Sequence, residues 1–197
     1  SFKDISGRLR ETRPTDDAKT SSAQKAPFEK LLLKDFEFGF SADAVIFQPT
    51  DLEIPLGKHI LIVGDSGSGK STFLDILVGL YSNYKGQMSI VDQEGSVVDN
   101  HINLFGYVSQ SVGLFGRSFE ECICGILDFK KDKFHDILSL CDLQDVYAAQ
   151  KDSFNISSFS GGERLRLGLA RAIYYERPII ILDESLASVE HSLEKRI

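Results

Sequence analysis

Gly64-Asp65-Ser66-Gly67-Ser68-Gly69-Lys70-Ser71, followed by Thr72, is the stretch on which the reading of this 197-residue chain turns. It has the form G-x-x-x-x-G-K-[ST]. Glycines let the backbone turn with positive φ and approach an anion with no Cβ in the way. The loop amides and the start of the following helix then point at a phosphate. Lys70 reaches toward the β- and γ-phosphates of a nucleotide, Ser71 offers a hydroxyl to Mg²⁺, and Thr72 supports the α-phosphate end. The flanks agree with this. His59–Val63 is a short aliphatic run that reads as a strand, and Ser71–Leu80 reads as a helix, so the loop opens an α/β unit.

Upstream, Leu31–Phe40 and Ala44–Phe47 read as strands, with Phe36, Phe38 and Phe40 alternating on one face. Asp51–Leu56 reads as a further short strand, closed by Pro55 and Gly57. Downstream, Gln87–Val91 and Ile102–Val108 are candidate strands, and Asp132–Asp142 and Glu163–Tyr175 candidate helices. In the latter helix Leu165, Leu169, Ala172 and Ile173 form one apolar stripe. Pro178 stops it. Ile179–Leu182, too short for a helix and apolar throughout, has the pattern of a central parallel strand.

That strand ends in Asp183-Glu184. A carboxylate at the carboxyl end of a buried strand stands where α/β folds bind ligands. Asp183 is placed to hold Mg²⁺ through water, and Glu184 to polarise an attacking water. Ser160-Gly161-Gly162-Glu163 opens the helix at 163–175 and offers a second set of amides, a hydroxyl and a helix dipole to an anion. Two phosphate-gripping turns in one chain suggest that both grip the same nucleotide from opposite sides; if they cannot meet within one chain, a two-fold dimer lets each copy lend its turn to the other's nucleotide.

These motifs together resemble the nucleotide-binding domain of an ATP-binding cassette (ABC) transporter, from about Leu31 to Ile197. Phe159-Ser160-Gly161-Gly162-Glu163 is similar to the family's LSGGQ signature, with Phe for Leu and Glu for Gln. Gln110, after Tyr107-Val108-Ser109, takes the place of the family's Q-loop glutamine, which implies contact with the metal, the γ-phosphate and the transmembrane partner. Glu184 stands at the catalytic glutamate, and Ala187-Ser188-Val189-Glu190 at the D-loop, departing in its last two residues. Phe40 falls at the adenine-stacking aromatic by position alone; a core residue is the alternative. Leu114–Ile123 is similar to a stretch of exporter-type cassettes.

The resemblance implies a P-loop NTPase core of class α/β with a mixed sheet, an antiparallel β flank and a helical signature subdomain at about 111–165. It implies ATP and Mg²⁺ as ligands, with Lys70, Gln110 and Glu184 in catalysis and Ser71, Gln110 and Asp183 at the metal. It also implies a second ATPase domain as partner, in a homodimer, and transmembrane domains fused upstream, at the cytoplasmic face of a membrane. Residues 1–27, polar and charged, read as the linker from those domains; Phe2, Ile5 and Leu9 either end a helix entering from upstream or carry no meaning. The family's switch histidine lies well beyond Glu184. His191 comes too early for it and reads as solvated, so the domain at 28–197 is expected to be incomplete at its C-terminus, to bind ATP and to hydrolyse it poorly. The segment 152–158 lacks the exporter sequence that usually precedes the signature.

Composition bounds the alternatives. Hydrophobic residues at 42% exclude wholesale disorder, and a net charge of −7 disfavours nucleic acid as a partner. A soluble ABC ATPase acting on DNA or ribosomes is therefore a weaker reading. A regulatory module that binds ATP without turnover is opposed by the intact Lys70, Gln110, Asp183 and Glu184. Three cysteines without metal spacing read as reduced thiols.

Overall fold

The computed structural model describes residues 9–11, 28–41, 43–98, 101–109, 111–125, 129–150 and 153–183. Backbone contacts divide the chain into two units, Ser1–Asn103 and Leu104–Ile197.

In the first unit, β1 (Leu9–Glu11) pairs antiparallel with β4 (Ile60–Ile62). The end of a helix was one expectation for the first dozen residues; Leu9–Glu11 is instead extended. A four-stranded antiparallel sheet runs in the order β3-β2-β5-β6, from β2 (Phe28–Ser41), β3 (Ala44–Pro55), β5 (Lys85–Asp92) and β6 (Val97–Val98). The two short strands expected at 44–47 and 51–56 are one strand, because irregularities in its register with β2 absorb the break between them. The antiparallel flank also extends past Gly57, through β5 and β6.

β2 changes parity midway. Leu31 and Leu33 are buried before the change and Phe36 and Phe38 after it. The intervening Asp35 has φ 46°, and its amide donates to Asp51 Oδ1 at 2.7 Å. A bulge of this kind re-aims every later side chain. A Cβ on Gly86 would collide with the Asp35 carbonyl, so the neighbouring strand needs glycine there.

Phe36, Phe47 and Phe73 then meet in a tilted and edge-on cluster, with ring centroids 5.9–6.3 Å apart. Phe73 belongs to α1 (Lys70–Leu77), whose buried face of Phe73, Leu74, Ile76 and Leu77 packs into this core. Each fully buried ring contributes about 2–3 kcal/mol. The helix exits through Gly79, φ 81°, whose missing Cβ leaves room for Ile102.

In the second unit, β7 (Phe105–Val108) and β8 (Ile179–Leu182) pair in parallel, in register from Phe105↔Ile179 to Val108↔Leu182. The parallel expectation for 179–182 holds; among the described residues its one strand neighbour is β7. The expected strand at 102–108 begins later, since His101–Leu104 is a 3₁₀ turn.

Among the described residues four α-helices complete the unit: α2 (Phe119–Cys124), α3 (Lys131–Leu140), α4 (Gln144–Gln150) and α5 (Gly161–Tyr174). α5 is more deeply set than one stripe predicts. Besides Leu165, Leu169 and Ala172, it buries Leu167, Gly168, Ala170 and Tyr174. Its neighbours in the core include Phe119, Ile123, Phe134, Ile137 and Leu143. The three cysteines are free and buried.

Candidate functional site

The strand–loop–helix is built as its sequence requires. β4 ends at Ile62, and the turn tightens where the Ser68 amide donates to the Asp65 carbonyl at 3.2 Å. Gly67 and Gly69 hold φ of 74° and 89°. Around Gly67 a Cβ would meet nothing within 4 Å, whereas at Gly69 it would come within 2.7 Å of Ile46 Cγ2 and 3.2 Å of Phe47 Cζ. The last glycine is thus required twice, by its dihedral and by β3 passing close behind it.

Gly69 caps α1 with no side-chain hydrogen bond, and the helix has no acid in its first turn. A first turn without acidic side chains is the arrangement that favours an anion. Lys70 Nζ curls back over the loop and donates to the carbonyls of Gly64 at 2.9 Å and Asp65 at 3.0 Å. Ser68 Oγ is buried without a hydrogen-bond partner. A buried hydroxyl without a protein partner in such a loop is open to a ligand atom. Gly64, Asp65, Ser66 and Ser71 lie exposed around it, with Thr72 half-buried.

Phe40 stands near the tip of the β2–β3 hairpin and is 56% exposed, so it is not a core residue. Its ring meets Phe38 and Tyr81 edge-on, at 5.3 and 5.5 Å.

In the second unit, Asp183 is the single buried charged residue among the described residues, 7% exposed. Its amide donates to the Val108 carbonyl at 3.0 Å, continuing the β7–β8 ladder by one step. Its carboxylate accepts from Tyr107 Oη at 3.4 Å. The carboxylate is thereby fixed at the carboxyl end of a parallel pair, where the sequence placed it. Gln110 and Glu184, together with Ala187–Glu190 and His191, lie outside the described residues.

The signature turn is locally self-sufficient. Ser160 caps α5 by accepting from the Glu163 amide at 3.3 Å, and the Glu163 carboxylate accepts from the Ser160 amide at 2.7 Å. That backbone hydrogen bond holds the Glu163 carboxyl below the usual range. The Glu that departs from the family's Gln therefore completes a capping box. A Cβ on Gly161 would meet nothing within 4 Å, so the turn is open to an approaching group.

Sequence reasoning missed how this turn is anchored. Arg164 reaches back from α5 to the carbonyls of Phe159 at 3.1 Å and Ile156 at 2.8 Å. Phe159 itself is buried against Phe119. Two turns further along, Arg171 donates to the carbonyls of Cys122 at 2.9 Å and Gly113 at 3.2 Å and lies 4.5 Å over the Phe115 ring. Burial pulls its guanidinium pKa down. The two arginines tie the signature helix to both segments that precede it, including the exporter-like stretch at 114–123. The signal was an Arg at regular helical spacing, which reads equally well as a solvated face.

No group of three or more His, Cys, Asp or Glu able to hold a metal occurs among the described residues. This is compatible with Mg²⁺, which uses one or two carboxylates and otherwise water and phosphate oxygen. No described helix is long and apolar enough to cross a membrane.

The family model described as ABC transporter matches residues 47–187. The ATP-dependent lipid A-core flippase of Saccharophagus degradans is 30% identical over 182 residues, 87% of this chain and 31% of the flippase. A sulfate/thiosulfate import ATP-binding protein, CysA of Synechocystis, is 30% identical over 79% of this chain and 44% of its own length. Among solved structures, a bacterial Atm1-family ABC exporter with ATP bound superposes with a TM-score of 0.71 over 87% of this chain and 32% of the exporter, at 20% identity, a likeness of fold. The chain thus spans less than a third of the flippase and under half of the importer protein.

Proposed function

Since this chain belongs to the ABC transporter family, we propose that it is the part that binds and hydrolyses ATP for a transporter of the exporter type. The observation that carries this reading is the phosphate loop: a left-handed Gly69, an uncapped α1, a Lys70 ammonium folded over the loop and a buried, unpartnered Ser68 hydroxyl. The similarity of Leu114–Ile123 to exporter cassettes and the flippase match support the exporter type.

The roles follow from the residues. The loop amides and the α1 dipole hold the phosphates, and Lys70 leaves its two carbonyls to meet the β- and γ-phosphate charge. Ser71 and Asp183 are the metal-side residues, with Gln110 completing the set. Bound Mg²⁺ supplies charge neutralisation on the phosphate oxygens. Glu184, next after the fixed Asp183, orients the attacking water and accepts its proton. Phe40 stacks against the adenine. The Ser160-Gly161-Gly162 turn, with Glu163 locking its shape, contacts the nucleotide of a second copy in a head-to-tail homodimer. Little covalent chemistry falls to the protein, so positioning and charge supply the rate.

In this reading residues 28–197 form the ATPase domain, with a helical subdomain at about 111–165. Residues 1–27 link it to transmembrane domains that contact the Gln110 region, at the cytoplasmic face of a membrane. Steady-state Mg·ATP turnover with Glu184→Gln is the test. The expected result is ATP binding at near wild-type affinity and loss of turnover, measured in the protein that supplies the membrane domains. Full turnover by the Gln variant, or no ATP binding by the wild type, would overturn the assignment.

A further inference from the structure

We infer that Tyr81 is a positioning residue for nucleotide binding, one that holds the Phe40 ring as a rigid platform for the base; this rests on the reading of Phe40 as the base-stacking residue. Three rings form a closed cluster. Phe40 meets Tyr81 at 5.5 Å and 79°, Phe40 meets Phe38 at 5.3 Å and 79°, and Phe38 meets Tyr81 at 5.5 Å and 44°. Phe38 is buried at 1% exposure and serves as the fixed base of the cluster. Phe40 lies near the tip of a hairpin and is more than half exposed. An exposed aromatic side chain at a hairpin end samples several rotamers in solution. Two edge-on neighbours restrict it to one, while over half of its surface stays open to a ligand.

Tyr81 comes to this place by way of the phosphate-binding helix. α1 ends at Leu77, Gly79 turns with φ 81°, and the Gly79 and Leu80 amides donate back to Ile76 and Asp75 at 3.0 and 2.9 Å. That turn delivers Tyr81 onto Phe38 and Phe40. At the other end of the same helix, Gly69 rests against Ile46 and Phe47 of β3. Phe47 is the cross-strand partner of Phe38. One eight-residue helix, about 12 Å long, therefore touches the hairpin at both ends. Its first turn presents the phosphate site and its exit turn braces the aromatic ring. A nucleotide, charged at one end and planar at the other, has this same two-part character. Preorganising the ring removes an ordering cost that binding would otherwise carry.

The test compares ATP with inorganic tripolyphosphate, which has the charge and lacks the base, by titration calorimetry on the full chain. Tripolyphosphate affinity is expected to be the same in wild type, Phe40→Ala, Tyr81→Leu and Tyr81→Phe. ATP affinity is expected to fall roughly tenfold in Phe40→Ala, in line with base–aromatic stacking. It is expected to fall by about three- to fivefold in Tyr81→Leu, in line with an aromatic pair, and to be restored in Tyr81→Phe, which keeps the ring. Unchanged ATP affinity in Tyr81→Leu overturns the inference while leaving the base platform intact. Unchanged affinity in Phe40→Ala overturns the platform as well, and wild type that ignores tripolyphosphate overturns the phosphate loop beneath both.

A second measurement reads the mobility of the ring directly, without nucleotide, on variants whose thermal midpoints match. The chain has no tryptophan, so Phe40→Trp creates a single reporter. Its anisotropy is expected to drop on adding Tyr81→Leu; an unchanged value counts against the brace.

Discussion

The molecule contains two helix starts that the sequence marks as anion sites, and they are finished in opposite ways. α1 begins at a glycine in the left-handed region, with no side-chain cap and no acid in its first turn. α5 begins at Ser160 with a complete capping box, and Glu163 already accepts from the Ser160 amide. An end without a side-chain cap leaves orphan donors, and a glycine there gives up roughly a few tenths of a kcal/mol against a Ser or Asp cap. A capped end has that stability before any ligand arrives. The difference teaches that α1 is shaped for a partner it must bind, whereas α5 keeps its shape alone and presents Gly161 and Gly162 as a ready surface. In the proposed reading the first kind of end grips the anion, and the second presents it with a fixed surface.

The largest effect that would break this comparison lies at Lys70. Lys70→Ala removes the ammonium that now rests on the carbonyls of Gly64 and Asp65. A charge-assisted hydrogen bond is worth about 1.5–3 kcal/mol, so ATP affinity should fall about 10- to 100-fold with little change in thermal midpoint. Retained affinity would mean that the α1 end is not the charge-gripping one. Next in size is Gly69→Ala. The new Cβ would stand 2.7 Å from Ile46 Cγ2 in a left-handed conformation, at a cost of about 1–3 kcal/mol. Chemical denaturation should show that loss. An unaltered midpoint would argue that the α1 end has slack.

The sequence made some of this legible and hid the rest for physical reasons. The phosphate loop was readable because glycine spacing, Lys70 and an aliphatic run each point to one local geometry. α5 and β8 were readable because periodicity and Pro178 separate them. The sequence reads β3 as two strands because Pro49 and Asp51 break the apolar pattern. In the fold Asp51 accepts the amide of bulged Asp35, a pairing of residues far apart in the chain. α2 has six residues, fewer than two turns, so no period could mark it; Ser118 accepting from the Glu121 amide at 3.2 Å is its one local signal.

Within the site, Asp183 was placed by its strand. Phe40 was ambiguous because alternation with Phe36 and Phe38 suggests burial, and only the hairpin tip exposes it. Ser160 and Glu163 read as part of an anion-gripping turn from amides, a hydroxyl and a helix dipole, and S-x-x-E at a helix start also spells a capping box.

That box yields the smallest and most discriminating prediction. Ser160→Ala should cost about 1 kcal/mol of stability, and Glu163→Gln almost nothing at neutral pH, since an amide oxygen can also accept from the Ser160 amide. The two differ in acid. Accepting the Ser160 amide holds the Glu163 carboxyl below the usual range, so its folded pKa lies beneath the unfolded value of about 4.3. Its contribution is then fully present above about pH 4.3 and is lost as pH falls through the folded pKa. Thermal midpoints followed from pH 7 to pH 3 should therefore decline more steeply in the wild type than in Glu163→Gln, with the curves parting only at the acid end. Parallel curves would show that the carboxylate charge does nothing for α5 beyond what an amide does. The contrast between the two helix starts would then rest on Ser160 alone.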